Sequence, residues 1–486
     1  MRGIVGAAGY VPYRRLERAQ IASFLGSGGG KGTRAVASHD EDTTTMGTEA
    51  ARLALRGAPG SAPDVVWFAT ASPAYLDKTN ATAVHAALRL PNEVPAFDFG
   101  GALRSGTGAL AAALCAGGIG TALVVSADQR DGLPTSSDEA AGGDAGAALI
   151  VADDGPGAPV VAEFLGGGSA TDEFTDRWRT PGEQRSRVWE ERFGETRYVP
   201  LGLEAWARAL KTTGIDASSV ARVAVTGMHA RAVKALAGKL GVAEGALADD
   251  LSASVGQAGA AHPALVLTAL LEDEARSQAA GEVPAGRVLA LIHLADGADV
   301  TVLRTTSALA DWRPARPVAA QVADGAALPY GKYLSWRGLL ELEPPRRPEP
   351  PRVSSSAAWR SEDWKFGFVG SKDRSSGAVH LPPARISMKG GAFDEMDPVP
   401  LADATGTVVT FTVDRMAYSP SPPIVFAVVD FDGGGRFPIE LTDVDADAIA
   451  MGDRVEMTFR RLFTSDGIHD YFWKAKPVRA GSKAGG

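Results

Sequence analysis

Apolar and polar positions follow two regimes along the chain. Up to about Arg304, short apolar runs alternate with longer segments in which small and apolar residues recur at helical spacing; from Gly406 only the short runs remain. The runs predict strands at Ile4–Val11, Val65–Ala69, Thr121–Ser126, Ala145–Val151, Val161–Glu163, Val223–Thr226, Val288–His293 and Asp299–Arg304. The helical spacing predicts Gly47–Leu55, with Thr43-Thr44-Thr45 as N-cap, then Asn80–Leu88, Leu201–Leu210, Ala230–Leu240 and Pro263–Arg276. Asp40, Glu41 and Asp42 would sit at the first helix start, where negative charge is favoured. This alternation predicts an α/β domain over residues 1–312 with a mainly parallel sheet covered on both faces, in two duplicated halves of about 1–160 and 161–312. Between the halves' elements, Thr171 to Arg197 is polar and rich in Trp, Arg and Glu.

One stretch stands at the centre of this pattern. Val94 to Gly118 opens as a strand, breaks at Gly100-Gly101 and continues as a small-residue helix from about Ser105. Such a bend aims backbone N–H groups at whatever lies above it, and in a covalent enzyme it carries the nucleophile. Here it carries Ala102, Leu103 and Arg104. The single cysteine, Cys115, follows three turns later, where a buried small apolar role is expected.

The character changes after Asp311. Residues 313–354 read as a linker, with an aromatic and basic YGKYLSWR segment that packs back on the large domain and a stiff Pro344–Pro351 run. Residues 355–394 are polar and turn-rich. Within 395–478, five strands at Thr407–Val413, Pro423–Asp430, Arg436–Leu441, Arg454–Arg461 and Asp470–Pro477 predict a small all-β barrel of oligonucleotide/oligosaccharide-binding (OB) shape. Residues 479–486 are expected to be a disordered tail.

Hydrophobic residues make up 45% of the 486, and the formal charge is -9. No run of 18 apolar residues exists and the first residues lack a signal-peptide pattern, so the expectation is a cytoplasmic protein with no membrane span. The acidic balance argues against nucleic acid as a partner.

GIVGAAGYVP, RAVASHDEDTTTMGTEAARLAL and FATASPAYLDKTNATAVHAAL resemble the amino-terminal half of hydroxymethylglutaryl-CoA synthases, with ketoacyl synthase III as a cousin. Both are thiolase-superfamily enzymes. The resemblance covers roughly residues 1–310 and implies an internally duplicated αβαβα domain. Residues 355–478 resemble the thiolase-associated module of a zinc ribbon followed by an OB fold.

The resemblance also implies a set of site positions. The family's nucleophilic cysteine matches Leu103, its glutamate base matches Ala71, and its helper asparagine matches Gln257. Its histidine survives as His229, the one catalytic residue the resemblance implies, expected to polarise a thioester carbonyl. Leucine cannot form an acyl-thioester and alanine cannot move a proton, so ping-pong acyl transfer is not expected here. Arg104, Ser105, His262 and Asp296 are candidates for a substrate pocket, with Arg104 facing a substrate or domain carboxylate. Backbone donors at 103–106 and 296–298 are expected to serve an oxyanion. His229 and His262 are alternatively packing relics, and His39 is expected to be structural. The four zinc positions read Asp373, Ser376, Ser387 and Gly390, a set that does not hold the metal.

The implied function is binding of CoA or an acyl-CoA, or an acyl-carrier thioester, with non-covalent acyl transfer or aldol/retro-aldol C–C chemistry. No tightly bound cofactor is expected. A homodimer is the expected assembly, with a thiolase-family or acyl-carrier partner as a further candidate. The alternative is a non-catalytic scaffold for an active thiolase or condensing enzyme. Retention of His229 and of the Asp40-Glu41-Asp42 segment is expected to weigh against that alternative.

Overall fold

The computed structural model describes residues 1–344 and 346–479. The tail expectation falls almost wholly on 480–486, outside the described residues.

Nine strands of the large domain form one connected sheet. They are β1 (Arg2–Tyr10), β2 (Val65–Thr70), β3 (Ala96–Gly100), β4 (Ala122–Asp128), β5 (Ala145–Asp153), β6 (Ala162–Ala170), β7 (Val220–Gly227), β8 (Val288–Leu294) and β9 (Ala298–Thr305). Their order is β7-β8-β9-β6-β1-β5-β4-β2-β3. The halves meet at β1 and β6 through only Gly3↔Glu163 and Ile4↔Ala162, so the sheet is two layers hinged at one seam. Contrary to the expectation, the sheet is mixed. Only β2–β3, β2–β4 and β7–β8 run parallel. A helical crossover returns a strand in the same sense, whereas the short turn Ala295–Gly297 folds β9 straight back on β8.

Helices complete five layers. One outer layer is α1 (Thr43–Gly57), whose Met46, Ala50 and Ala54 pack on Val5, Phe68 and Val125. The central layer pairs α2 (Ser105–Cys115) with α5 (His262–Ala279), and their Leu110, Leu114, Val266 and Leu270 share one core with strands of both halves. The other outer layer holds α3 (Glu191–Thr213) and α4 (Ala230–Ala237). The order α1, sheet, α2 with α5, sheet, α3 with α4 is the thiolase-type αβαβα sandwich. Helix α3 begins ten residues before the predicted start and carries Pro200 inside it, which hid the continuity in the sequence.

Two local expectations are corrected. Asp42, not the threonine triplet, caps α1: its side chain accepts from Thr45 N–H at 2.9 Å while Thr45 Oγ1 accepts from Asp42 N–H. Cys115 is exposed, because it falls on the outward face at the last turn of α2 while Ala113 and Leu114 face the core.

The second domain is a closed barrel of β10 (Thr405–Asp414), β11 (Ile424–Phe431), β12 (Arg436–Leu441), β13 (Arg454–Ser465) and β14 (Ile468–Pro477), in the order β10-β11-β12-β14-β13. Trp473, Phe459 and Phe368 fill its core. The YGKYLSWR segment forms α6 (Tyr330–Trp336), which buries Tyr330 and Tyr333 against the large domain. Arg337 behind it pairs with Asp144 and, at 3.3 Å, with Asp131.

The barrel docks onto the Asp40-Glu41-Asp42 segment. Arg460 of β13 lies 3.1 Å from Glu41 and 2.9 Å from Asp443, and Lys474 of β14 lies 3.0 Å from Asp40. Tyr471 donates to Asp42 at 2.8 Å. On α1, Glu49 accepts from Phe459 N–H at 3.0 Å and holds Arg52, whose guanidinium stacks 4.6 Å from the Trp473 ring centroid. These acids are therefore an interdomain socket.

The segment expected to resemble a zinc ribbon forms a small sheet of Val369–Asp373, Val379–His380 and Met396–Pro400. Three of its four family positions converge. Asp373 accepts from Ser375 N–H at 2.9 Å and from the Ser376 hydroxyl, and hydrogen bonds from Ser376 and Ser387 hold its carboxyl well below the usual range. Gly390 contributes a left-handed turn with φ 98°. His380 accepts from Met388 N–H at 3.0 Å. One carboxylate with hydroxyls lacks the thiolate and imidazole donors that a zinc ribbon needs, and hydrogen bonds close the knuckle instead.

Candidate functional site

A cavity of about 440 Å³ opens above the bend between β3 and α2. Ala71 at the end of β2, Leu103 at the bend, His229 at the start of α4 and Asp296 in the β8–β9 turn all line it. Four of the sequence-derived positions thus meet in one cleft. Gln257 instead borders a neighbouring cavity of about 500 Å³ that shares Ala141, Met228 and Ala230 with the first and adds Arg18 and Lys234.

The remaining candidates do not reach the main cavity. Arg104 turns to Asp299, with Nε to Oδ2 at 2.7 Å and Nη2 to Oδ1 at 2.9 Å, and Thr107 donates to the same carboxylate at 3.2 Å. Of the two carboxylates expected for Arg104, this bidentate pair supplies the domain one, Asp299, and the guanidinium turns away from the main cavity. Ser105 spends its N–H on the Ala102 carbonyl at 3.1 Å, so it is not free for an oxyanion. His262 is buried, with Nδ1 accepting from Ala258 N–H at 3.3 Å, and burial lowers its pKa to about 4. His39 stacks against Trp336 at 5.5 Å.

His229 is engaged at both nitrogens. As the N-cap of α4 its Nδ1 accepts from Ala232 N–H at 3.1 Å. The proton of the neutral ring therefore sits on Nε2, which donates to the Glu191 carbonyl at 2.7 Å. The first turn of α3 thus fixes the ring, and Tyr198 packs beside it at 5.9 Å between centroids.

The polar stretch from Thr171 supplies groups that the sequence reading passed over. Arg177–Trp178 and Arg187–Val188 pair as a hairpin across the cavity mouth. Arg177 grips Asp138 with bonds of 2.7 and 2.9 Å, Arg179 donates to the Ala71 carbonyl, and Ser186 accepts from buried Arg130 at 3.3 Å. Asp176, at the hairpin's base, is only 3% exposed, and its Oδ1 has no hydrogen-bond partner among the described residues. Burial raises its pKa, while the neighbouring His229 ring, Arg177 and the Tyr198 hydroxyl pull it back. The signal was the density of Trp and Arg in an otherwise Ala- and Gly-rich half.

Beneath Ala71 lies one more acid, Asp128, fully buried in β4. It accepts from Ala71 N–H at 2.9 Å, Thr70 at 3.1 Å and Ala260 N–H at 2.8 Å. These bonds tie β2, β4 and the segment before α5 together under the cavity floor.

Comparison with known proteins agrees with this architecture. Residues 398–460 match the family model of the ChsH2 C-terminal OB-fold domain. The hydroxymethylglutaryl-CoA synthase of Thermococcus sibiricus is 36% identical over 138 residues, which is 27% of this chain and 39% of that protein. The chain thus spans about two fifths of the length of the curated synthases it matches. A DUF35 domain-containing scaffold protein of Methanocaldococcus jannaschii is 26% identical over 126 residues, 25% of this chain and 89% of that protein. Among solved structures, a hydroxymethylglutaryl-CoA synthase complexed with CoA superposes with TM-score 0.56 at 17% identity, over 68% of this chain and 89% of that one. The ketoacyl synthase III of Pseudomonas aeruginosa gives 0.52 at 21% identity, over 63% and 98%. This chain carries a thiolase-type α/β fold, related to hydroxymethylglutaryl-CoA synthases, fused to an OB-fold domain of ChsH2 type.

Proposed function

We propose that the large domain binds a CoA or acyl-carrier thioester and acts on it by aldol or retro-aldol C–C chemistry, without an acyl-enzyme. The observation that carries this reading is the convergence of Ala71, Leu103 and His229 on one cavity of about 440 Å³, with alanine and leucine where the resemblance implies a base and a nucleophile. The pantetheine arm would reach the bend through the adjoining cavity, with Arg18 and Lys234 near the phosphates. Calorimetry with CoA and a panel of acyl-CoAs tests the reading. Binding in the micromolar range, about -8 kcal/mol, supports it. Loss of that binding in Leu103→Trp assigns the ligand to this cavity. No heat at about 1 mM ligand, or a covalent acyl adduct in the intact mass, overturns it.

The second reading is a scaffold that presents an active thiolase-family partner with its substrate. The similarity of about a quarter of the chain to DUF35 domain-containing scaffold proteins favours it. Retention of Asp40-Glu41-Asp42 no longer weighs against it, since those acids serve the interdomain socket. Co-purification with a catalytic thiolase, together with no turnover of the chain alone, would select this reading. A homodimer is expected through edge strand β3, whose outer edge is unpaired and whose Phe97 is exposed. Light scattering at micromolar concentration reads this directly.

A further inference from the structure

We infer that Asp176, set between Tyr198 and His229, is the proton-transferring group of the cavity, acting on the hydroxyl or α-carbon of a bound thioester. This rests on the proposed thioester function and names the residue that performs its proton transfers.

Elimination and geometry carry the assignment. Ala71 and Leu103 are inert, and both nitrogens of His229 are committed to Ala232 and Glu191. Among the cavity's other ionisable groups, Asp138 is held by Arg177, Glu191 pairs with Arg231 at 3.1 Å, and Asp296 lies exposed at the rim. Among the described residues, Asp176 alone of these carboxylates combines burial with an oxygen that has no hydrogen-bond partner. A buried acceptor left open is destabilising, and this one lies at the cavity wall. Gly194 in the first turn of α3 makes room for it: a Cβ there would stand 2.5 Å from Asp176 Oδ1 and 2.8 Å from His229 Nε2. Only glycine lets the helix approach so closely, so carboxylate and imidazole share one corner of the cavity.

The chemistry balances without a co-reactant. In the cleavage direction, Asp176 takes the proton of a β-hydroxyl, the C–O bond becomes a carbonyl, and the Cα–Cβ bond breaks. The electron pair of that bond passes into the thioester enolate. The enolate then recovers the proton from Asp176 at Cα, releasing an aldehyde or ketone and a shortened thioester. The groups facing Asp176 are His229 on α4, Tyr198 on α3, Arg177 on the hairpin and Asp296 in the β8–β9 turn. His229, Arg177 and Tyr198 favour the carboxylate form.

Exchange of the α-protons of propionyl-CoA in D2O, followed by mass spectrometry, tests this without knowledge of the natural substrate. The wild-type chain is expected to catalyse exchange, and Asp176→Asn to lower the rate at least about 100-fold with CoA binding unchanged. Asp176→Glu should restore part of it. The wild-type rate should rise with pH as Asp176 ionises, and Tyr198→Phe should move that inflection to higher pH, which a merely structural role would not do. Exchange within tenfold of wild type in Asp176→Asn overturns the assignment, as does absence of exchange in a wild-type chain that binds CoA. Failure of CoA to bind at all removes the thioester reading itself, and the assignment with it.

Discussion

Arg460 in the barrel and Glu41 in the large domain meet at 3.1 Å with both side chains completely buried. The same guanidinium reaches Asp443 at 2.9 Å and donates to the Tyr10 hydroxyl at 3.1 Å. Burial raises Glu41 to about 7 even against the pull of Arg460, with Asp443 and Asp40 adding repulsion. The two domains are therefore joined through charge in a buried interface.

Arg460→Ala should be strongly destabilising, because it strands buried carboxylates without their cation. A loss of about 3–5 kcal/mol is expected from removing one partner of a buried pair. Denaturant unfolding followed by tryptophan fluorescence checks it, since Trp473 reports on the barrel. Arg415→Ala, from an exposed pair, should lie within about 1 kcal/mol of wild type.

Glu272 on α5 accepts from Val318 N–H at 2.8 Å, and its other oxygen is buried with no hydrogen-bond partner among the described residues. Burial pushes its pKa up to about 8. The folded state thus keeps a proton that the unfolded chain releases near its ordinary value, so this contribution is full at low pH and is lost as pH rises toward 8. Glu272→Gln should leave stability unchanged near pH 4 and gain progressively on wild type up to pH 8, by a few kcal/mol at most. Thermal melts across that range are the check.

His262 and His293 behave in the opposite sense. Both are buried, and burial lowers each to about 4. The unfolded chain takes up protons near 6.5 while the folded one does not, so stability present above that value is lost as pH falls toward 4. Melting temperature should drop between pH 6.5 and 4, and His262→Gln should flatten part of the drop.

Arg104 and Asp299 brace the bend from outside the cavity. Arg104→Met should cost about 1–2 kcal/mol, discounted for partial exposure. It should leave CoA affinity within threefold of wild type by calorimetry. A larger loss of affinity would mean that the guanidinium touches ligand after all.

The resemblance to hydroxymethylglutaryl-CoA synthases singled out Ala71, Leu103 and His229, whereas periodicity along the chain determined the layered α/β domain and the five barrel strands. Those features rest on local spacing and on which faces must be buried, both written in consecutive residues. Tertiary structure alone decided the partners of the charged groups. Arg104 finds Asp299 and Asp40 finds Lys474 across long stretches of chain, and any of several carboxylates would have satisfied the sequence equally well. The same holds for Asp176, which reads as one acid in a polar stretch. It becomes a buried open carboxylate only because the hairpin folds over the cavity and α3 approaches through Gly194, a contact that no local pattern encodes.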